Sequence, residues 1–155
     1  MNNDQDNAGI VAHPPFFYIT AALLAILIDY FIPLSFENPT ITKYAAFVVL
    51  GIGMLIFILS GRMFIKNKQS PSVHASQPKI ITDGIYGKTR NPIYLSAHMF
   101  IASAAFYFDN VWMLLMLVPM TYIITKFAIE KEERYLEGKF GEAYRNYKSR
   151  VRRWF

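Results

Sequence analysis

The sequence predicts an all-α, polytopic membrane protein with about four transmembrane helices and a cytoplasmic C-terminal helical tail. Hydrophobic residues make up 54% of the 155 positions and charged residues only 17%. This composition is more apolar than that of a typical soluble domain. The charges are grouped into short segments between long apolar stretches, as expected when lipid solvates part of the chain. The length is that of one domain, so residues 1–155 are expected to form a single membrane-embedded unit.

The predicted transmembrane helices are the four apolar stretches at residues 16–34, 44–65, 92–108 and 111–127. About 20 helical residues cross the hydrocarbon core of a bilayer, and the first two stretches reach that length comfortably. The last two are shorter, and only Asp109 and Asn110 separate them, which predicts a tight helical hairpin. The alternative is that these two are buried helices of a soluble fold.

The basic residues predict the orientation in the membrane. Of the 16 Lys and Arg residues, six lie between Arg62 and Arg90 and nine lie from Lys126 onward. Because cytoplasmic loops carry an excess of positive charge, the loop at 66–91 and the tail at 128–155 are expected to face the cytoplasm together. With four spans the N-terminus lies on the same side, and a bacterial inner membrane is the expected location.

Composition also excludes several classes of function. The isoelectric point is near 9.4, but the basic residues flank apolar spans, which indicates contact with membrane lipid and not with nucleic acid. The chain has no cysteine, which excludes disulfides, thiolate metal sites and cysteine nucleophiles. No metal site is expected.

One polar segment lies directly before the third apolar stretch. Pro92 suits the first turn of a helix, and Asn91 is then the expected N-cap. Arg90, Asn91 and Tyr94 would therefore lie at a helix N-terminus, where free N–H groups and the dipole favour an anionic group. Arg90 adds a fixed charge that can bind a carboxylate or phosphate with two hydrogen bonds.

A pair of glutamates, Glu132 and Glu133, follows the fourth apolar stretch by a few residues. Neighbouring helical residues point about 100° apart, so one glutamate could hold a ligand while the other braces the Arg90 loop. The alternative, which the residues alone favour, is a solvated helix face.

The rest of the tail is expected to contain a helix break near Phe140, between Gly138 and Gly141. Apolar and aromatic residues recur at helical spacing along it, at Leu136, Phe140, Tyr144, Tyr147 and Val151. This stripe could lie along the membrane surface or fold back over the loop that carries Arg90. His98 lies inside the third apolar stretch, where either a functional role or helix packing would explain it.

Two segments resemble known motifs. GIYGKTRNPIYLS, at residues 84–96, is similar to the pattern G-P-Y-R-x-x-R-H-P-x-Y-x-G. EKEERYLEGKFGEAYRNYKSRVRRW, at residues 130–154, is similar to E-E-x-x-L-x-x-x-F-G-x-x-Y-x-x-Y-x-x-x-V-x-R. Both patterns belong to the isoprenylcysteine carboxyl methyltransferase and phospholipid N-methyltransferase group, whose members are integral membrane enzymes. In that group the cofactor pocket is built from this loop and this tail.

The resemblance implies S-adenosylmethionine as cofactor, and it implies roles for individual residues. Arg90 and Glu133 are the implied catalytic residues. The implied cofactor-binding residues are Tyr86, Arg90, Asn91, Pro92, Tyr94, Glu132 and Glu133. The sequence departs from the pattern in four places: Asn91 stands where His is usual, Ile85 replaces Pro, Gly87 replaces Arg and Ser96 replaces Gly.

The function expected from this resemblance is S-adenosylmethionine-dependent methyl transfer to a lipophilic acceptor, with isoprenylcysteine-type carboxyl O-methylation as the first choice. Methylation of a phospholipid or another small lipophile on N or S is the alternative within enzymes. A non-enzymatic scaffold or lipid-binding protein is the alternative from another class. The expected partners are a lipophilic or prenylated substrate, membrane lipid and a second copy that completes a homodimer.

Overall fold

The protein is described by a computed structural model that covers residues 14–71 and 77–154. The six α-helices in these ranges are α1 (Pro14–Phe31), α2 (Pro39–Lys66), α3 (Pro92–Tyr107), α4 (Val111–Ile124), α5 (Glu130–Phe140) and α6 (Glu142–Arg150). A 3₁₀ turn at Gly84–Gly87 precedes α3, and a π turn at Thr125–Ile129 joins α4 to α5. These ranges contain no strand, which confirms the predicted all-α class.

Within the described ranges, three helices are long and apolar enough to cross a membrane: α1, α2 and the continuous helix Val111–Phe140 that contains α4, the π turn and α5. The apolar part of that helix ends at Ile129, and charged residues occupy every position from Glu130 to Arg134, so α5 extends beyond the hydrocarbon. The remaining apolar helix, α3, has 16 residues, so it is shorter than the length predicted to span. The membrane prediction is confirmed, with three helices of spanning length where four spans were expected.

The helices pack as two pairs joined through the middle. α2 lies along α3, α1 lies along α4, and α3 also contacts α4, whereas α1 and α2 are not packed along each other. Gly53 permits the close approach of α2 and α3, because a Cβ there would meet Met99 at 3.0 Å and Phe100 at 3.1 Å. The outer faces carry large exposed apolar residues such as Phe31 and Tyr44, as expected of surfaces that contact lipid.

One end of the bundle is closed by the α3–α4 hairpin. Asp109 has a left-handed backbone with φ of +57°, and the side chain of Asn110 caps α4 by accepting from the Met113 N–H at 3.0 Å. The Asp109 carboxylate accepts from the Phe36 N–H at 2.9 Å, and the Trp112 indole N–H donates to the Ile32 carbonyl at 2.8 Å. The expected tight hairpin is therefore present and is tied to the α1–α2 connection.

The opposite end gathers the basic segments. The end of α2 and the following loop are joined by an ion pair between Lys66 and Asp83. The tail turns back at Gly141, whose φ is +53°, and the Tyr147 hydroxyl donates to the Tyr86 carbonyl at 2.7 Å. The tail thus folds over the loop that precedes α3, which is the second of the two arrangements its apolar stripe allowed.

Candidate active site

Arg90 and Glu133, from the loop before α3 and from α5, form a buried ion pair. The Arg90 Nη2 lies 3.1 Å from the Glu133 Oε1, and both side chains are less than a tenth exposed. A second guanidinium, that of Arg153, donates from Nε to Oε1 at 3.1 Å and from Nη2 to Oε2 at 2.8 Å. Glu133 is thus held by two arginines, which satisfies the strong requirement of a buried carboxylate for charged partners.

The backbone just after α6 fixes this arrangement from the other side. The Arg90 N–H donates to the Arg152 carbonyl at 3.0 Å. The Thr89 hydroxyl and the Asn91 side-chain amide both donate to the Arg153 carbonyl, at 2.9 and 3.2 Å. Three consecutive residues of the loop therefore bind two consecutive carbonyls of the tail.

This use of Asn91 corrects one expectation from the sequence. Asn91 does occupy the N-cap position of α3, but its side chain makes no capping hydrogen bond. The amide instead donates to the Arg153 carbonyl, a partner that comes from 62 residues away and that local sequence signals do not reveal. The residue that replaces the usual His thus holds the tail in place.

Glu132 has a different environment from its neighbour Glu133. It is partly buried, and the Tyr94 hydroxyl donates to its Oε2 at 3.3 Å. Burial raises the pKa of Glu132 to about 7, and the nearby Glu133 charge adds to this while the Tyr94 hydrogen bond opposes it. Of the two roles considered for the pair, Glu133 braces the Arg90 loop. Glu132 instead lies on the wall of an open space.

That space consists of two adjoining cavities. A narrow cavity of about 70 Å³ lies between the loop and the tail, and its wall is mixed, with apolar residues such as Ile81 and Leu136 beside Gln69, Lys79 and Glu133. We call it the polar cavity because charged and amide side chains form part of its wall. A larger, mainly apolar cavity of about 440 Å³ lies among the membrane helices, and its wall includes Tyr18, Ile19, Ile93, Tyr94, Ala97 and Phe100. The two share a wall formed by Phe64, Pro71, Tyr86, Arg90, Asn91 and Glu132.

Two residues on the polar cavity carry buried atoms without a hydrogen-bond partner among the described residues. They are the Arg90 Nε and Nη1, which are donors, and the Gln69 Oε1, which is an acceptor. Buried polar atoms are nearly always paired in folded proteins, so unpaired atoms on residues that line a cavity are expected to meet a ligand or water. They make the polar cavity suited to a molecule with both an anionic group and a hydrogen-bond donor.

All seven residues predicted for the site lie together. Tyr86, Arg90, Asn91 and Glu132 line both cavities, Pro92 and Tyr94 line the apolar one, and Glu133 lines the polar one. Their contact with a cofactor stays a prediction. Sequence reasoning missed Gln69, which ends up on the cavity wall, and Arg153, although that residue matches the final Arg of the tail pattern.

His98, for which the sequence allowed either a functional role or helix packing, lies in a network of hydrogen bonds. Its Nδ1 is 2.8 Å from the Tyr94 carbonyl and 2.9 Å from the Tyr18 hydroxyl, and its Nε2 is 2.9 Å from the Thr121 hydroxyl. Because both ring nitrogens have partners on α1, α3 and α4, helix packing explains this residue.

Comparisons of the sequence with known proteins identify the family. An uncharacterized protein of Haemophilus influenzae is 39% identical over 62 residues, which are 40% of this chain and 98% of that protein. No solved structure matches the chain. The model of the phospholipid methyltransferase family matches residues 42–143, more than half of the chain and a region that contains the Arg90 loop and both glutamates. The protein therefore belongs to the phospholipid methyltransferase family, that is, to the membrane methyltransferases of the phospholipid and isoprenylcysteine type.

Proposed function

We propose that this protein transfers a methyl group from S-adenosylmethionine to a lipophilic acceptor that reaches the site from the membrane. One observation carries the proposal. The polar cavity and the apolar cavity among the membrane helices adjoin each other and share a wall that includes Arg90 and Glu132. A donor with charged groups suits the first cavity and a lipid chain suits the second, so that the two reactants would meet at this wall.

The residues of the wall fit the cofactor. S-adenosylmethionine supplies, when bound, a methyl group on a sulfonium that is already activated for transfer. The unpartnered Nε and Nη1 of Arg90 suit its carboxylate, and Gln69 Oε1 suits a donor such as its ammonium or an amino group. Glu132 would bind a cationic or hydroxyl group. The polar cavity alone is too narrow for the whole molecule, so the cofactor would extend along the shared wall.

The protein's contribution to such a reaction is to orient the reactants and exclude water. Burial of Arg90 and Glu133 keeps the anion-binding group fixed before a ligand arrives, which lowers the entropic cost of alignment. Phe64 and Tyr86, whose rings are 5.8 Å apart, form an apolar part of the shared wall. Exclusion of water there strengthens each electrostatic contact with the bound groups.

The acceptor is proposed to enter sideways from the bilayer. The apolar cavity has the size of a small-molecule site, within the usual range of about 300–1,000 Å³. Since α1 and α2 are not packed along each other, the gap between them offers a route for a lipid chain. A cytoplasmic orientation of this end, in a bacterial inner membrane, follows from the charge distribution and is part of the proposal.

Glu132 bears on the choice between a carboxylate acceptor and an acceptor that must lose a proton. A carboxylate acceptor, the first expectation from the sequence, is ionised at neutral pH and needs no base. An amine acceptor must lose a proton, and a carboxyl with a pKa of about 7 on the shared wall is suited to take it. This observation favours a lipid amine as the second candidate.

A transfer assay with labelled methyl donor tests the proposal and separates these acceptors. The protein, purified in detergent, is given either an isoprenylcysteine or vesicles that contain an amine phospholipid. Base treatment of the product releases labelled methanol from a methyl ester but not from an N-methyl group. Label in neither acceptor, together with no binding of S-adenosylhomocysteine in isothermal titration, would contradict the proposal and favour a non-enzymatic lipid-binding protein.

A further inference from the structure

The Glu133 carboxylate is shared unequally between its two arginines. Arg153 binds both oxygens, at 3.1 and 2.8 Å, whereas Arg90 uses only its Nη2, on Oε1 at 3.1 Å. Arg90 lines both cavities, and its Nε and Nη1 are buried without a partner among the described residues. Arg90, which lines the cavities, is therefore the arginine whose donors are not all paired.

An arginine beside a buried carboxylate tends to bind both of its oxygens through two parallel hydrogen bonds. Arg90 could do the same with Glu133, but Arg153 already holds Oε2 and shares Oε1. The two guanidinium groups outnumber the Glu133 carboxylate, and Glu132 on the shared wall is only partly ionised at neutral pH, so the charge beside the cavity is net positive. Both effects favour an anionic ligand group at Arg90.

We propose that Arg153 is a positioning residue, which occupies Glu133 and so keeps the remaining donors of Arg90 free for the carboxylate of the methyl donor. The proposal rests on the proposed function, because it assumes that this donor binds at Arg90. It adds a role for a residue that lies beyond the region matched by the family model, which ends at residue 143.

The tail holds the Arg153 guanidinium at a fixed place. The Arg153 carbonyl accepts from Thr89 and Asn91, so the same residue binds the loop through its backbone and Glu133 through its side chain. The next residue, Trp154, packs against the buried cluster that contains Tyr94 and Ile129, and its ring lies 5.4 Å from that of His98. These contacts fix the position of Arg153 relative to Arg90.

Isothermal titration with two ligands tests the proposal. S-adenosylhomocysteine carries the carboxylate, and 5′-methylthioadenosine lacks the whole amino-acid group. Arg153→Ala is expected to weaken binding of S-adenosylhomocysteine by about tenfold or more, the size of one hydrogen bond to a charged group. Binding of 5′-methylthioadenosine should be unchanged. Arg152→Ala, which removes an exposed neighbouring charge, is the matched control and should bind both ligands as the wild type does.

A double variant tests whether the effect acts through Glu133. In Arg153→Ala combined with Glu133→Gln, the neutral amide no longer draws in Arg90, so part of the lost affinity for S-adenosylhomocysteine should return. Equal loss of both ligands in Arg153→Ala, no loss, or no recovery in the double variant would each overturn the proposal. A wild-type protein that binds neither ligand would instead refute the proposed function, and this inference with it.

Discussion

Glu132 and Glu133 show how strongly the surroundings of a residue decide what it can do. Their side chains are identical and adjacent, yet Glu133 is held by two guanidinium groups while Glu132 accepts, among the described residues, from the Tyr94 hydroxyl. Burial makes the charged form of Glu132 costly. The Glu132 side chain can therefore change its charge near neutral pH.

Glu132 should make stability depend on pH. Its pKa rises from an ordinary 4.5 to about 7 on folding, so between these values the folded state binds more protons than the unfolded state. The contribution is fully present below pH 4.5 and is lost as pH rises to about 7. Thermal unfolding in detergent between pH 5 and 8 should show a larger decrease in Tm for the wild type than for Glu132→Gln. Parallel profiles would show that Glu132 titrates normally.

Arg90 should be sensitive even to a conservative change. Arg90→Lys keeps a positive charge near Glu133 but removes the planar fork and its spare donors, so the KM for the methyl donor should rise about tenfold or more. Because Arg153 still holds Glu133 with two hydrogen bonds, the fold should survive and Tm should fall only slightly. Steady-state kinetics at varied donor concentration measure the effect, with exposed Lys88→Ala as the control. A donor KM equal to that of the wild type would exclude Arg90 from donor binding.

At the scale of elements, the π turn and the turn at Gly141 determine where the residues of the site lie. A π turn inserts one residue into the helical repeat, which rotates the following helix by about 100°. The turn at Thr125–Ile129 therefore changes the face on which the two glutamates project, and apolar periodicity does not reveal it. This is why the sequence left the roles of Glu132 and Glu133 open, while the break near Phe140 was predicted from its glycines.

Gly141 should tolerate substitution poorly. Its φ of +53° and ψ of −123° lie in a region that side chains with a Cβ rarely adopt, so Gly141→Ala should cost about 1–3 kcal/mol. Gly138→Ala is the matched control, since a Cβ there meets nothing within 4 Å and the exchange inside α5 should stabilise by about 0.5–1 kcal/mol. Thermal unfolding measures both. Similar stability of the two variants would contradict the strained turn.

At the scale of the molecule, the sequence predicted what depends on local pattern and missed what depends on docking. The length of the apolar stretches predicted the membrane helices. The resemblance placed Arg90 and Glu133 in one site, and in the structure the Arg90 Nη2 lies 3.1 Å from the Glu133 Oε1. The bond from Arg153 to Glu133 was missed because it depends on the path of the tail after Gly141. The partial hydrogen bonding of Gln69 was missed because its amide donates to the Lys79 carbonyl, a partner ten residues away that local sequence patterns do not reveal.

The orientation can be tested with single cysteines, because the chain has none of its own. Lys88→Cys and Asn146→Cys lie at the end that holds the site, and Glu37→Cys lies between α1 and α2 at the other end; all three positions are exposed. In sealed vesicles of known orientation, an impermeant maleimide should label the first two from the cytoplasmic side and the third from the opposite side. Labelling of all three from one side would refute a membrane-spanning arrangement.

The two carbonyls at Arg152 and Arg153 that hold the loop have a consequence for the order of assembly. Helices enter the membrane as they are synthesised, from the N-terminus onward, but the partners of Thr89, Arg90 and Asn91 are made more than 60 residues later. A nascent chain can therefore have all its apolar helices in place before Arg153 is available to bind Glu133. The loop can be held in place only after Arg153 has been synthesised, so insertion of the helices is separated in time from completion of the site.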